Sequence, residues 1–272
     1  MNQKLRNSYD DLLRRAQDAL DREDFDEAEA LGRRAQMLQA DSLDARQVIA
    51  SALIEQARYE DALPLLEEIL AKEPEDLAAL ADAGLCLFEM CEFEEAEALL
   101  ARALEIDPAD PQANYWTALC IERQGHLDAA EDHFQQAHEM DPEAYPLPIR
   151  ISREEFDRVV RDAIAELPPE IRGQLQNISI MVQDLPSDED LGDFEPPLDP
   201  CLFGLYIGVP LPERSTSDPP QLPDTIYVYK RNLERMGTDR DVLVQEIRTT
   251  ILHEIGHYLG FDEEDLAERG YA

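Results

Sequence analysis

Apolar and small positions in the first half of the chain recur with a period of 34 residues. Bulky side chains stand at Phe25, Tyr59, Phe93 and Leu127, each followed three places on by an alanine: Ala28, Ala62, Ala96 and Ala130. A second series, Ala16, Ala50, Gly84 and Ala118, keeps the same register, as expected where two paired helices approach closely. Pro74, Pro108 and Pro142 close three of the four units, because proline cannot continue a helix interior. The pattern predicts four helix pairs over about residues 9–144, and DPEAYPLP at 141–148 marks a junction.

Beyond the junction the periodicity changes. Phe156, Val159, Val160, Ala163 and Ile164 have helical spacing within 153–167, and Pro168 and Pro169 stop that helix. Three short runs rich in branched and aromatic residues, 178–182 (ISIMV), 202–207 (LFGLYI) and 225–229 (TIYVY), read as strands. The acidic, proline-bearing stretch 184–200 reads as a solvated loop. A long helix from residue 239 or 240 to Leu259 carries Leu243, Ile247, Ile251 and Ile255 at spacing four, and a short acidic helix over 263–269 follows it. The expected architecture is an α-helical repeat superhelix (1–146) followed by a small α+β domain (150–272).

The long helix carries the most informative chemistry, in HEIGHYLGFDEED. At roughly 100° per residue His253 and His257 return to nearly one face, about 200° around from Ile251 and Ile255, so they point away from the apolar stripe. Both imidazoles then reach one metal ion about 2.0–2.1 Å away, with Glu254 beside it as a general base. Zinc in such a place lowers the pKa of bound water, and the carboxylate takes the proton as a carbonyl is attacked. Gly260 and Glu263 extend the motif to HExxHxxGxxE. That extension lowers the chance occurrence from on the order of one in a hundred to roughly one in ten thousand chains of this composition. A glycine there suits a left-handed helix end that turns the chain back toward the metal, which makes Glu263 the candidate third ligand.

Charge narrows the partners. A 272-residue chain is long enough for two domains with separate cores, and its formal net charge is −37. The excess is shared: residues 1–150 hold 13 basic and 35 acidic side chains, and the remainder holds 11 and 26. Such a surface repels phosphate backbones and anionic lipid, so nucleic acid and membrane surfaces are excluded and basic or neutral peptides are favoured. The first residues lack a signal-peptide-like apolar core, and no run is long enough to span a bilayer; the expected setting is cytoplasmic. Cys86, Cys91, Cys120 and Cys201 form no CxxC pair, which suits a reducing compartment. Cys86 and Cys120, 34 apart, read as small core residues, and Cys201 reads as a free thiol rather than a ligand. His126, His133 and His138 read as solvated or packed, and Tyr115 and Trp116 receive no functional role.

In period and in its small, aromatic and proline positions, the first half resembles the tetratricopeptide repeat. The resemblance implies a superhelix whose concave face holds peptides or partner proteins, or repeats that dock on the second domain or mediate self-association. Residues 152–272 are similar to the small bacterial zincin-like metallopeptidase family, through FDRVVRDAIAELPPEIR, GLYIGVPLPERS, LPDTIYVYKRNLER and HEIGHYLGFDEEDL. This implies a minimal zincin core with the active-site helix beneath an edge strand, metal ligands His253 and His257, and catalytic base Glu254. The family's acidic third ligand, commonly aspartate, falls on Glu263, which is longer by one methylene; Asp262 and Asp265 are the alternatives.

GLYIG at 204–208 is the candidate edge strand for pairing with an extended peptide, so Gly204 and Tyr206 are candidate substrate-binding residues. Tyr206 reads either as an oxyanion donor or as an ordinary strand aromatic. Arg214 reads as a partner for a substrate carboxylate or as a loop salt bridge. The expectation is a zinc-dependent peptidase acting on a peptide or protein substrate, with repeats that recruit a protein partner. Its rival is a protein-binding scaffold whose zincin domain is catalytically silent or uses its metal only to hold its shape.

Overall fold

The computed structural model describes residues 3–175, 178–192, 194, 196–213 and 224–269. The chain divides into two compact units, Met1–Tyr145 and Pro146–Ala272.

The first unit pairs α1 (Gln3–Leu20) with α2 (Phe25–Leu38), α3 (Leu43–Ile54) with α4 (Tyr59–Leu70), α5 (Leu77–Glu89) with α6 (Phe93–Ile106), and α7 (Pro111–Arg123) with α8 (Leu127–Met140). The 34-residue period is visible in how each pair starts. Ser42, Asp76 and Asp110 cap α3, α5 and α7, accepting from the backbone N–H of Ala45, Ala79 and Ala113 at 3.0, 2.9 and 2.7 Å. The small-residue positions are buried because helices cross there: Ala28, Ala62, Ala96 and Ala130 have no exposed surface. At Gly84 a methyl group would lie 2.6 Å from Leu100 Cγ, so α5 and α6 approach closer than alanine allows.

Polar groups tie successive repeats together. Asp82 on α5 accepts from Gln47 on α3 at 2.7 Å and from Gln112 on α7 at 2.8 Å, and burial pushes its carboxyl above the usual range. Cys86 and Cys120 sit in the core, where burial pushes each thiol up to about 12. His133 Nδ1 lies 2.8 Å from Asn114 Oδ1, and His138 Nδ1 lies 3.0 Å from the Tyr145 carbonyl, so both imidazoles serve packing. Tyr115 and Trp116 belong to an edge-packed aromatic cluster with Phe88, Phe134 and Tyr145.

In the second unit the elements run α9 (Arg153–Glu166), α10 (Pro169–Gln174), β1 (Ile178–Gln183), α11 (Asp188–Gly192), β2 (Gly204–Ile207), β3 (Asp224–Tyr229), α12 (Lys230–Met236), α13 (Arg240–Leu259) and α14 (Glu263–Arg269). The sheet order is β1-β3-β2. β1 runs parallel to the central strand with Ile178 opposite Asp224, and β2 runs antiparallel with Gly204 opposite Val228. Phe156, Val159 and Val160 of α9, Ile226 and Val228 of β3, and the α13 stripe Leu243, Ile247, Ile251 and Ile255 form its core. Together the units make a helical repeat array and a small α+β domain.

Three elements depart from the sequence pattern, the first being α10, which starts at Pro169 directly after the expected stop because proline suits the first position of a helix. The stretch expected as a plain loop contains α11, because Ser187 caps it and Leu191 is fully buried. Between β3 and α13 lies α12, whose Glu234 has no exposed surface. Lys230 Nζ donates to Glu234 Oε1 at 2.5 Å, the Ile151 N–H donates to the same oxygen at 2.9 Å, and Arg150 Nη1 lies 3.0 Å from Oε2. A buried carboxylate needs such partners, and they fasten the segment entering α9 to α12. Among the described residues no helix is long and apolar enough to cross a membrane.

The turns inside the four helix pairs share a left-handed residue: Glu23, Ala57, Cys91 and Gly125, with φ of 60, 55, 64 and 80°. A Cβ at Gly125 would meet nothing within 4 Å, so replacement there isolates the backbone term. Gly125→Ala should cost about 1 kcal/mol, and Ala57→Gly should return up to about the same amount, after the greater freedom of glycine in the unfolded chain is counted. Denaturant unfolding of the two variants, moving in opposite directions, checks this.

Candidate active site

Helix α13 is fixed before its chemistry begins. Asp239 caps it, accepting from the N–H groups of Asp241 and Val242 at 2.8 and 3.0 Å. The apolar stripe is buried against α9 and the sheet, and the Tyr258 hydroxyl donates to the Gln174 carbonyl at 2.8 Å. With that face locked, His253 and His257 emerge on the other side, one turn apart. Their Nε2 atoms stand 2.9 Å apart, with ring centroids 4.6 Å apart and the planes at 84°.

Two ring nitrogens converging on one point are satisfied by a shared proton or by a cation. Ligands on a tetrahedral zinc with bonds of 2.0–2.1 Å have nitrogens about 3.3 Å apart, a few tenths of an ångström from the separation found. The imidazole pair therefore fits a divalent first-row ion. Glu254 is nearly buried, at 7% exposure, and lines the same cleft as both histidines.

The cleft encloses about 570 Å³ and is walled on one side by β2, the sheet edge, through Gly204, Leu205 and Tyr206. Pro210, Glu213, Gly260, Phe261 and Asp262 are also part of its lining. The Tyr206 hydroxyl donates to Asp224 Oδ1 at 3.1 Å, and its ring packs edge-on against Tyr258. Arg214 lies outside the described residues.

Past the histidines, Gly260 adopts φ 87° and closes the helix in a left-handed turn. Its N–H donates to the His257 carbonyl and that of Phe261 to the Gly256 carbonyl, both at 3.0 Å, the two bonds of a Schellman closure. The chain then doubles back. Asp262 lines the cleft while its Oδ1 caps α14, accepting from the Asp265 N–H at 2.9 Å; Asp265 is exposed. Glu263 is the first residue of α14, and its side chain lies outside the described residues. Among the described residues no group of three or more His, Cys, Asp or Glu side chains gathers as a metal site. Cys201, whose sulfur accepts from Arg235, is not in the cleft lining.

Sequence reasoning passed over Gly256 and Thr250, which pack behind this site, as well as Glu213 and Phe261 in its lining. Gly256, inside HEIGH, has no room for a side chain: a Cβ would fall 2.3 Å from Leu266 Cδ2, so the glycine lets α14 fold onto α13. The signal was present, since a glycine in a helix interior costs about 1 kcal/mol against alanine and calls for a packing reason. Thr250, buried one turn before Glu254, carries no such signal, because a threonine on a helix is common.

Residues 175–271 match the family described as zincin-like metallopeptidase, and residues 53–119 match the tetratricopeptide repeat. The chain joins tetratricopeptide repeats to a zincin-like metallopeptidase domain, a family that implies zinc. No curated protein matches it. Similar solved structures include MamA, residue 41 to the end, from Desulfovibrio magneticus RS-1, at 20% identity and TM-score 0.44 over 49% of this chain and 76% of that one. A thermophilic tetratricopeptide-repeat protein from Thermus thermophilus is similar at 22% identity and TM-score 0.43, over 50% and 75%.

At Gly260 an added Cβ would also sit 2.7 Å from Pro212 Cγ. Gly260→Ala should therefore lower stability by about 1–2 kcal/mol for the left-handed backbone alone, with a further loss from displacing Pro212. The check is the shift in Tm of the full chain.

Proposed function

We propose that the second unit is a zinc-dependent peptidase and that the repeats deliver a protein or peptide substrate to it. The observation that carries this reading is the meeting of His253 Nε2, His257 Nε2 and the Glu254 side chain in one cleft beneath an edge strand. His253 and His257 hold the metal. Glu263 is the proposed third ligand, supported by the turn at Gly260 and by the engagement of Asp262 Oδ1 in capping α14. Zinc held there would supply an acidified water and a Lewis acid for the scissile carbonyl.

The chain's own residues do the rest. The Glu254 carboxylate accepts the proton from water and passes it to the leaving amine nitrogen. The outer edge of β2, the strand that ends the order β1-β3-β2, orients an extended peptide through its backbone groups, with Gly204 and Tyr206 lining the cleft there. The Tyr206 hydroxyl must leave Asp224 before it can donate to an oxyanion, which makes the edge strand the firmer part of this assignment. Arg214, nearby in sequence, is proposed to meet a substrate carboxylate. The −37 charge favours basic or neutral substrate segments, and a cytoplasmic setting is part of the proposal.

Glu254→Gln should retain stoichiometric zinc while chelator-sensitive cleavage of a mixed peptide library falls by about 10²–10⁴-fold. Unchanged cleavage in that variant defeats the mechanism. Glu263→Ala should release zinc under dialysis conditions that Asp262→Ala withstands, read by elemental analysis; the reverse order would move the third ligand to Asp262. Chelation that lowers Tm in a protein without any cleavage activity would assign the metal a structural role instead.

A further inference from the structure

Gly204 stands where β2 meets α13, and its Cα faces the side chain of Glu254. A Cβ built on Gly204 would lie 2.8 Å from Glu254 Cγ, 2.8 Å from Glu254 Oε1 and 2.9 Å from Thr250 Cγ2. Carbon atoms without a bond between them settle at about 3.5–4.0 Å, so any side chain at 204 must displace one of these atoms. The strand is poorly placed to yield. Gly204 pairs with Val228 in the antiparallel ladder, and the Tyr229 N–H donates to the Phe203 carbonyl at 2.8 Å, so retreat from α13 breaks sheet hydrogen bonds. Nor does the helix have freedom to move: Ile247, Ile251 and Ile255, on the adjoining face, are buried in the core of the unit. Thr250 and Glu254, four residues apart, present one face to the strand, and the glutamate is freer to rotate than the β-branched threonine.

We propose that Gly204 is a positioning residue for Glu254. Its bare Cα forms, with Thr250 Cγ2, a notch against which the glutamate stem rests, and this sets where the carboxylate stands relative to His253 and His257. The proposal rests on the reading of Glu254 as the proton-transfer group. It gives the glycine at the head of the edge strand a task separate from pairing with substrate, since that pairing uses backbone groups which alanine would also provide. A methyl at 204 redirects Glu254 while leaving both imidazoles and the peptide-binding edge in place.

The test uses the full chain with zinc and two independent readouts. In activity, Gly204→Ala should keep wild-type zinc content and a KM within about threefold for the mixed peptide library. Its kcat should fall by about ten- to a hundredfold, as expected for displacement of a reacting group by an ångström or less. Thr250→Ser, which deletes Cγ2 from the notch, should restore part of that loss when combined with Gly204→Ala. In melting, Gly204→Ala should lower Tm by several degrees in the wild-type background and by less than half as much when Glu254 is already alanine.

A wild-type kcat in Gly204→Ala overturns the positioning role, as does an equal Tm loss in both backgrounds. Should the wild-type chain cleave nothing, the peptidase reading falls, and the melting cycle alone decides the contact: coupling between positions 204 and 254 upholds it, and additivity overturns it.

Discussion

Leu243, Ile247, Ile251 and Ile255 anchor α13 in the core of the second unit, and that anchoring determines where His253 and His257 stand. Burial of each such side chain stabilises by roughly 1.5–3 kcal/mol, so the helix cannot roll about its axis without losing more than the site gains. Holding the apolar face still places the imidazoles one turn apart on the opposite side, 2.9 Å between their Nε2 atoms. Glu254 follows from the same constraint, because it sits next to His253 and is pressed by the strand that packs beside the helix. Every functional distance in this domain is thus inherited from core packing.

Electrostatics complement that geometry. Among the described residues lining the cleft are Glu213, Glu254 and Asp262, and none is lysine or arginine. A cavity of this sign concentrates cations, both a divalent ion and a basic peptide segment, against a chain that already carries a large negative charge. The helical repeats contribute by shape. Capping residues at fixed intervals and the Gln47–Asp82–Gln112 bridge hold successive helix pairs in register, and this regularity is what an extended binding face requires.

Periodic features were legible because each is written in residue type at a fixed spacing. Ala28, Ala62, Ala96 and Ala130 announce the helix pairs, and the α13 stripe together with Gly260 announces both the metal helix and its left-handed end. The three strands were legible from branched and aromatic content, although the second begins at Gly204, two residues later than its composition suggests. What stayed hidden depends on neighbours distant in sequence. The burial of Glu234 makes sense only once Lys230, Arg150 and the Ile151 N–H are seen around it, and α11 forms because Leu191 finds a buried place. Gly256 and Gly204 look like ordinary glycines until Leu266 and Glu254 are found against them.

Whether His253 and His257 hold a divalent ion is decided by the metal content of the purified full chain. One zinc per chain is expected, lost when His257 is replaced by alanine in a protein that still folds. A chain that takes up no divalent metal, or a His257→Ala variant that binds it undiminished, would rule out a metal held by this imidazole pair.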